Sequence, residues 1–373
     1  MKFLFTCGGT AGHINPALGV AGRLKKLIPD CEILFIGAKG MMETVLVPRE
    51  GYPIETVEIN NLSRSISLAG LKHNLHTARG LVQSIRDAKR ILRAFGPDVV
   101  IGTGGYVCYP VLRAAHDLGL PTLVHESNAV PGLTTKLLAH TVDCVMVGFE
   151  NAGDAYPAGT KVVFTGTPVR EGFEDVGREE ARRRLGIPAE RALLLSVWGS
   201  LGSDHMNEIM ADFAPLAAAR QDFLLIHSAG KRGYPKLMEA VAQKDGGDLK
   251  ARGVDLREYI YDMPLVMAAA DLIMCRSGAS TLGELAAMGK PALLVPSPNV
   301  TNHHQEKIAQ RLADAGAAEM LLEGQFDANS LYEKALSLLS DPQKLATMGE
   351  NMARCGVPDA TKRITELVLD YVK

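Results

Sequence analysis

Two segments of this chain share one local pattern, in which a short apolar strand is followed by a glycine-rich turn and then by a helix. The first lies at residues 2–16, where an apolar run precedes G-G-T-A-G-H-I-N-P. The second begins about 190 residues later, where L-L-L-S-V precedes W-G-S-L-G-S. A strand, a glycine turn and a helix are the opening of a doubly wound parallel sheet. The repetition therefore predicts an α/β chain with two Rossmann-like domains facing each other across a cleft.

The rest of the chain alternates short apolar runs with helical patterns, which is typical of α/β folds with parallel sheets. Its 373 residues are enough for two domains of about 150–200 residues each. The predicted strands are 2–6, 32–36, 98–101, 121–124, 144–147 and 161–164 in the first half, and 192–197, 223–227, 256–260, 271–274 and 291–295 in the second.

Composition and motif spacing exclude several classes of protein. A net charge of -2 gives no basis for general nucleic-acid binding, and the six cysteines contain no C-x-x-C pair. The first turn lacks the G-x-G-x-x-G spacing of dehydrogenases, and no Walker motif occurs. No D-x-D pair is present to chelate a metal-bound diphosphate, and the adjacent His303 and His304 lack a nearby Asp or Cys. We therefore predict neither a cofactor nor a metal site.

His13 is the unusual residue of the first turn. Glycines let backbone N–H groups approach a ligand closely, and a helix start adds partial positive charge. We predict that the helix begins at Pro16, with Asn15 as its N-cap. A phosphate loop needs no histidine, whereas a site that moves a proton often uses one.

The second half carries a denser set of polar residues at 275–284, C-R-S-G-A-S-T-L-G-E. Backbone N–H groups at this helix start are suited to hold a diphosphate, with Arg276 as countercharge. Two interpretations of Glu284 stay open. Its carboxylate binds ribose hydroxyls, or it forms a capping box with Thr281. The polar loop 296–305 follows the next strand, at the edge where open α/β sheets bind ligands.

These residues resemble the signatures of the MurG family of bacterial cell-wall glycosyltransferases. Residues 8–16 are similar to the family motif G-G-T-[AG]-G-H-x-x-P, and further similarities follow in the same order at 102–107, 125–128, 166–170, 199–202, 275–279, Glu284, Gln305 and 358–361. The resemblance implies a GT-B fold. It also implies an acceptor-binding, membrane-associated domain of residues 1–164 plus 357–373, and a UDP-GlcNAc-binding domain of residues 165–356.

The resemblance further implies an activity. The family reaction moves N-acetylglucosamine, with inversion, from UDP-GlcNAc to the muramoyl 4-hydroxyl of lipid I, which forms lipid II for peptidoglycan. Such a displacement needs a base that titrates near neutral pH. His13 fits by residue type and position, and Glu126 is the second choice. Alternatively, His13 only binds the acceptor diphosphate or caps the turn.

Binding residues are implied by matched position. The residues expected to bind the donor are Thr10, Gly12, Asn128, Arg170, Ser200, Ile260, Arg276, Ala279, Ser280, Thr281, Glu284 and Gln305. Those expected to bind the acceptor are Gly104, Gly105 and Tyr106. Within the donor set, Glu284 is expected at the ribose and the Ile260 backbone at the uracil.

Four positions depart from the family pattern. Trp198 stands where glycine is common, and Ser203 replaces the usual alanine. Thr135 and Ile308 stand where many members carry asparagine.

Segment 68–95 predicts contact with a membrane surface. Apolar residues recur at helical spacing (Leu71, Leu75, Ala78, Val82, Ile85 and Leu92), bordered by Lys72, Arg79, Arg86 and Arg93. Several basic residues together can hold a domain reversibly at an anionic leaflet. The alternative is an ordinary solvated face over a packed core. The resemblance further implies a peripheral protein at the cytoplasmic face of the cell membrane, with cell-wall or division proteins as further partners.

Two other classes of function stay open. A UDP-GlcNAc 2-epimerase, or another GT-B sugar-nucleotide enzyme, would share the nucleotide half but would have no use for the basic apolar face. A non-catalytic sensor or scaffold would retain the fold while losing the base, whereas His13, Asn128 and Gln305 are all present.

Overall fold

The structure, a computed structural model, describes residues 1–59, 68–170, 172–173, 176–300 and 303–372, and the side chains of 68–79 are not among those described. The chain forms two compact units. The first unit is Met1–Glu171 with Asp359–Lys373, and the second unit is Gly172–Pro358.

The first unit is built on a parallel sheet of seven strands. These are β1 (Lys2–Thr6), β2 (Glu32–Ala38), β3 (Ile54–Val57), β4 (Val99–Gly102), β5 (Thr122–Glu126), β6 (Cys144–Val147) and β7 (Val162–Phe164). The strand order is β3-β2-β1-β4-β5-β6-β7, so the chain reverses its direction of winding between β1 and β4. Ligands bind at such a switch point in open α/β sheets. The helices of this unit are α1 (Ala11–Leu27), α2 (Glu43–Arg49), α3 (Leu68–Phe95), α4 (Cys108–Asp117), α5 (Leu133–Leu138), a short 3₁₀ helix (Glu150–Ala155) and α14 (Ala360–Asp370).

The second unit repeats the architecture with six parallel strands. These are β8 (Leu193–Val197), β9 (Leu224–Ser228), β10 (Val254–Arg257), β11 (Leu272–Cys275), β12 (Ala292–Leu294) and β13 (Ala318–Met320), in the order β10-β9-β8-β11-β12-β13. Its helices are α6 (Arg178–Leu185), α7 (Asp204–Arg220), α8 (Tyr234–Lys244), a 3₁₀ turn (Lys250–Arg252), α9 (Met263–Ala269), α10 (Ala279–Met288), α11 (His304–Asp314), α12 (Ala328–Leu339) and α13 (Pro342–Cys355). The predicted fold class, two α/β units with parallel sheets, is confirmed.

The compact units differ by a few residues from the predicted domains. Residues 165–170 lie with the first unit, because the Val169 backbone and the Thr361 side chain of α14 exchange hydrogen bonds of 3.2 and 3.3 Å. The Val169 carbonyl also lies so near Gly19 of α1 that a β-carbon there would stand 2.3 Å from its oxygen. Helix α14 packs on α1 and buries Ile364 and Val368.

Three local predictions are corrected. Helix α1 begins at Ala11 rather than at Pro16, because the Thr10 carbonyl accepts hydrogen bonds from His13 N–H at 3.0 Å and Ile14 N–H at 3.2 Å. Asn15 is therefore a helical residue and not an N-cap. The strand predicted at 256–260 is Val254–Arg257, and the edge strands β3 and β13 were not predicted.

The described part of segment 68–95 has one buried and one exposed face. Ala88, Ile91 and Leu92 pack into the core beneath α3, with Ser84 also buried. Val82, predicted on the apolar face, is instead 48% exposed. It shares the opposite face with the exposed side chains of Arg86, Arg90 and Arg93.

The rest of that predicted pattern, Leu71, Lys72, Leu75, Ala78 and Arg79, lies outside the described side chains. Among the helices in the described ranges, none combines the length and the hydropathy needed to cross a bilayer.

Candidate functional site

The turns after β1 and β4 meet at the switch point of the first sheet. Gly8 N–H donates to the Gly104 carbonyl at 3.2 Å. A β-carbon on Gly105 would stand 2.3 Å from the Gly8 carbonyl oxygen. The two glycine turns therefore pack backbone against backbone, which leaves no room for side chains between them. Tyr106, the third predicted acceptor residue, follows these glycines and is 63% exposed.

His13 is the third residue of α1 and lies against the turn after β4. Its backbone carbonyl accepts a hydrogen bond from Thr103 Oγ1 at 2.6 Å. Its ring packs on Gly104, where a β-carbon would stand 2.3 Å from His13 Nδ1. Burial lowers the pKa of His13 from its ordinary value of 6.5, and the carboxylates of Glu126 and Glu43 oppose part of that effect. The imidazole is therefore neutral at pH 7 and able to accept a proton.

Glu43 is a buried residue of the candidate site that the sequence does not predict. It is the first residue of α2, is 0% exposed, and accepts hydrogen bonds from Gly9 N–H at 3.0 Å and Ala38 N–H at 2.8 Å. The Glu43 side chain also accounts for the absence of a side chain at two positions, because a β-carbon on Gly8 or Gly37 would stand 2.5 Å from it. Glu43 thus ties the turn after β1 to the end of β2. No periodic or motif signal marks it.

Glu126 ends β5 with a buried carboxylate whose two oxygens both accept hydrogen bonds. Oε1 accepts from Asn128 N–H at 3.0 Å and from Asn128 Nδ2 at 2.9 Å. Oε2 accepts from Gly132 N–H at 2.9 Å and from Thr135 Oγ1 at 2.7 Å. The carboxylate therefore organises the loop between β5 and α5. Thr135, a departure from the family pattern, is one of its four donors.

Arg170 lies in the first unit, although the sequence predicts it in the nucleotide-binding domain. Its Nη1 is 3.3 Å from Glu50 Oε1.

The loop that precedes Arg170 is fixed by His125, whose Nε2 is 2.9 Å from the Gly166 carbonyl oxygen while Nδ1 is 3.2 Å from Ser127 Oγ. Burial lowers the pKa of His125, so this histidine is a neutral structural donor and not a charged ligand.

The second unit presents a comparable edge where β8 and β11 end. The turn after β8 contains Ser200 and leads into α7, whose N-cap Ser203 accepts a hydrogen bond from Met206 N–H at 3.4 Å. Gly202 has a φ of 77°, and a β-carbon there would stand 2.1 Å from the Ala229 carbonyl oxygen. Only glycine fits this approach.

Helix α10 begins at Ala279, and its N-cap is Gly278, which has no side chain with which to cap the helix. Thr281 is therefore the third helical residue and Glu284 the sixth, so the capping-box interpretation is wrong. The first turn, with Ser280, carries no acidic residue, which leaves its N–H groups suited to an anion.

Glu284 is buried beside Cys275. Burial raises the pKa of that thiol to about 12, and the Glu284 carboxylate adds to the effect.

Gln305 links the loops that follow β11 and β12. Its Oε1 accepts from Ser297 N–H at 2.9 Å, and its backbone carbonyl accepts from Ser277 Oγ at 2.9 Å. Ile260 lies in the loop after β10, on the carboxyl side of the sheet, with its side chain buried. Ile308 is buried on α11, so an apolar residue suits this position.

Apart from Arg170, the predicted residues lie in turns that follow strands of their own sheet, at the strand end itself, or in the first two turns of the helices that come next. Within the described ranges, no group of three His, Cys, Asp or Glu side chains is arranged to hold a metal ion.

The comparisons with known proteins cover the whole chain. The profile of the glycosyltransferase family 28 N-terminal domain matches residues 3–147, and that of the glycosyltransferase family 28 C-terminal domain matches residues 194–364. A relative from Acetivibrio thermocellus is 41% identical over 373 residues, which is 100% of this chain and 99% of that protein. That protein is named UDP-N-acetylglucosamine--N-acetylmuramyl-(pentapeptide) pyrophosphoryl-undecaprenol N-acetylglucosamine transferase.

Solved structures show the same similarity. The crystal structure of Acinetobacter baumannii MurG matches with a TM-score of 0.69 and 29% identity, covering 99% of each chain. The UDP-GlcNAc 2-epimerase from Neisseria meningitidis, bound to UDP-GlcNAc, matches with a TM-score of 0.64 and 17% identity, covering 99% of this chain and 100% of that one. At that identity the second similarity shows the fold alone.

Proposed function

This chain belongs to the MurG family of glycosyltransferases, and we propose how its residues carry out that family's reaction. The enzyme transfers N-acetylglucosamine from UDP-GlcNAc to the muramoyl 4-hydroxyl of lipid I, with inversion at the anomeric carbon, and releases UDP and lipid II. Sequence identity over the full chain supports the reaction. The mechanism is supported by one observation: His13 is neutral and partly buried, and it lies at the switch point of the first sheet.

His13 is the general base. Its imidazole removes the proton of the acceptor 4-hydroxyl while that oxygen forms a bond to the anomeric carbon. The bond between the anomeric carbon and the diphosphate oxygen breaks, and its electron pair leaves with UDP. A general base must be unprotonated at the working pH, and burial, which lowers the pKa of His13 from 6.5, keeps the imidazole neutral at pH 7.

Glu126 supports the site without taking the proton. Four donors already surround its carboxylate, two of them from Asn128. A carboxylate so engaged is a poor general base, because its lone pairs point at the groups that it organises. Its contribution is to hold the loop that carries Asn128, which we place at the donor sugar.

The second unit binds the nucleotide. The amides at the start of α10, together with Ser200 in the turn after β8, face the diphosphate and stabilise the charge that develops on departing UDP. Glu284 accepts hydrogen bonds from the ribose hydroxyls, and the Ile260 backbone contacts the uracil.

One assay tests this assignment. The protein is incubated with UDP-GlcNAc and a lipid I analogue, and UDP release is measured with and without the acceptor. We expect release that requires the acceptor, and a loss of kcat by about 10²–10⁴ in His13→Gln, with UDP affinity unchanged. His205→Gln, at an exposed histidine of α7, is the matched control. Acceptor-independent turnover of UDP-GlcNAc would contradict the proposal.

The exposed face of α3 supports attachment to a membrane. Arg86, Arg90 and Arg93 lie on one face with Val82, over a core that holds the helix in place. Each such basic residue adds roughly 1 kcal/mol of attraction to an anionic leaflet. This face would hold the first unit at the cytoplasmic surface of the cell membrane, where a lipid-linked acceptor is presented.

Vesicle binding tests the attachment. Charge reversal of Arg86, Arg90 and Arg93 should abolish sedimentation with anionic vesicles and leave activity on a water-soluble acceptor intact. Reversal of Arg183, Arg184 and Lys231, three exposed residues of the second unit, changes the net charge equally and serves as control. Equal loss in both variants would show that total charge, and not this face, determines binding.

A further inference from the structure

The guanidinium of Arg276 contacts three other loops at the carboxyl edge of the second sheet, those that follow β8, β12 and β13. Arg276 directly follows β11, and its Nη2 donates to Ser203 Oγ, the N-cap of α7, at 2.9 Å. Its Nη1 donates to the carbonyls of Val295 and Pro296, both at 3.1 Å, and forms an ion pair with Glu323. Both charged side chains are largely buried. These contacts engage the guanidinium with protein groups, so they favour a structural use over direct binding of phosphate.

Trp198 completes this cluster from the turn after β8. Its ring centroid lies 5.8 Å from the Arg276 guanidinium carbon, within the range of a cation–π contact. The side chain is 2% exposed, and its indole N–H has no acceptor in the part of the chain that the structure describes. The ring is therefore held by packing and by the guanidinium.

Two of the four departures from the family pattern, Trp198 and Ser203, are both direct partners of Arg276. They lie at the two ends of one turn, at positions 198 and 203. On its other side this turn meets the loop after β9, where a β-carbon on Gly230 would stand 2.6 Å from the Gly202 nitrogen. The turn is thus fixed between a backbone contact and the guanidinium.

We infer that Arg276 is a positioning residue that clamps the 198–203 turn to the loop after β11, with Trp198 and Ser203 as its coupled partners. The clamp presents the turn to the diphosphate of the nucleotide, and this part rests on the proposed function. Lysine cannot replace the arginine, because an ammonium lacks the planar fork that reaches Ser203, the two carbonyls and the ring together.

Hydrogen exchange tests the clamp in the free protein. The amide of Gly202 donates to the Gly199 carbonyl at 3.1 Å, so its exchange reports the closed turn. We expect Arg276→Lys to accelerate that exchange about tenfold or more. Arg220→Lys is the matched control, because Arg220, at the far end of α7, likewise forms an ion pair, with Glu333, and stacks on a ring, that of Tyr332. Ser203→Ala removes one partner of Arg276, so we expect it to accelerate the exchange of the Gly202 amide by a smaller factor.

UDP binding tests the consequence for the site. Trp198 is the sole tryptophan of the chain, so its emission reports directly on this turn during a titration with UDP. Arg276→Lys should weaken UDP binding about tenfold while leaving competition by uridine unchanged. Ser203→Ala should weaken UDP binding in the wild-type background and have no further effect beside Arg276→Lys, because both act through one clamp.

The results of these experiments test the clamp and the proposed function separately. Unchanged exchange in both Arg276→Lys and Ser203→Ala overturns the clamp, whether or not UDP binds. Additive effects of the two changes on UDP affinity also overturn it, because residues that act independently do not form one clamp. A wild-type protein that fails to bind UDP, with exchange accelerated in Arg276→Lys, supports the clamp and contradicts the proposed function.

Discussion

Gly104 lies against the ring of His13 so closely that a β-carbon at position 104 would stand 2.3 Å from His13 Nδ1. The φ of Gly104 is 111°, which an L side chain rarely adopts. Backbone conformation and ring packing therefore require glycine independently. Although Gly104 is predicted to bind the acceptor, its contact with His13 gives it a second use, that of orienting the base.

Replacement of Gly104 by alanine should move the His13 ring. We expect kcat/KM to fall about 100-fold, because a displacement near 1 Å at a catalytic group has that effect. Stability should fall by about 1–3 kcal/mol from backbone strain. Gly119→Ala is the control, because Gly119 has a φ of 70° and a β-carbon there would meet nothing within 4 Å. Equal loss of activity in the two variants would show that strain alone is responsible.

The pH dependence of kcat/KM should show the titration of His13. Burial lowers the pKa of His13 from 6.5, and the neutral form is the active base, so activity should fall only as pH drops below 6.5. Residual activity of His13→Gln should lack this acid limb. Steady-state kinetics between pH 5 and pH 8 provide the measurement, and an acid limb above pH 7 would contradict the assignment.

Glu126 and Thr135 should affect stability more than proton transfer. Thr135→Val removes a hydrogen bond to the buried Glu126 carboxylate, and Glu126→Gln replaces that carboxylate by an amide that cannot accept all of its hydrogen bonds. Each change should lower the free energy of unfolding by about 1.5–3 kcal/mol. Both variants should keep the acid limb of the pH profile. Thr141→Val is the control, since it removes a hydroxyl that donates to the Leu138 carbonyl at 3.1 Å rather than to Glu126. If Glu126→Gln alone removes the limb, Glu126 is the base.

His227 should make the second unit less stable in acid. It is fully buried with Nδ1 3.0 Å from Ser196 Oγ, and burial lowers its pKa from 6.5 to about 3. Between these values the unfolded chain binds a proton that the folded unit does not. Stability should therefore fall by about 1.4 kcal/mol for each pH unit below 6.5.

Urea unfolding at pH 7.5 and pH 5, followed by Trp198 emission, measures this dependence within the second unit. His227→Gln should show a correspondingly flatter dependence on pH, whereas His205→Gln, at an exposed position, should match the wild type. The same slope in His227→Gln would assign the acid sensitivity to other groups.

The central strands of both sheets could be predicted from sequence, because each is buried on both faces and reads as a continuous apolar run. The edge strands β3 and β13 could not. In β3, Glu55 and Thr56 are exposed, and β13 has three residues with Glu319 in the middle, so neither contains such a run. Their position depends on pairing with β2 and β12, which is not a local property.

The candidate site shows the same division between local and distant information. The glycine turns at 8–12 and 199–202 are local patterns, and the sequence predicts both. Glu43 is different, since its importance comes from amides at positions 9 and 38 that only folding brings to it. The contact of Arg276 with Trp198 and Ser203 spans more than 70 residues and could not be read from spacing.

The return of α14 to the first unit has a consequence for synthesis on the ribosome. Ile364 and Val368 complete the layer against α1, yet they are translated only after every residue of Gly172–Pro358. During translation, part of the α1 surface of the first unit therefore stays uncovered until the whole sequence of the second unit has been synthesised. Ribosome-bound chains that end before Asp359 should leave that surface open to a chaperone.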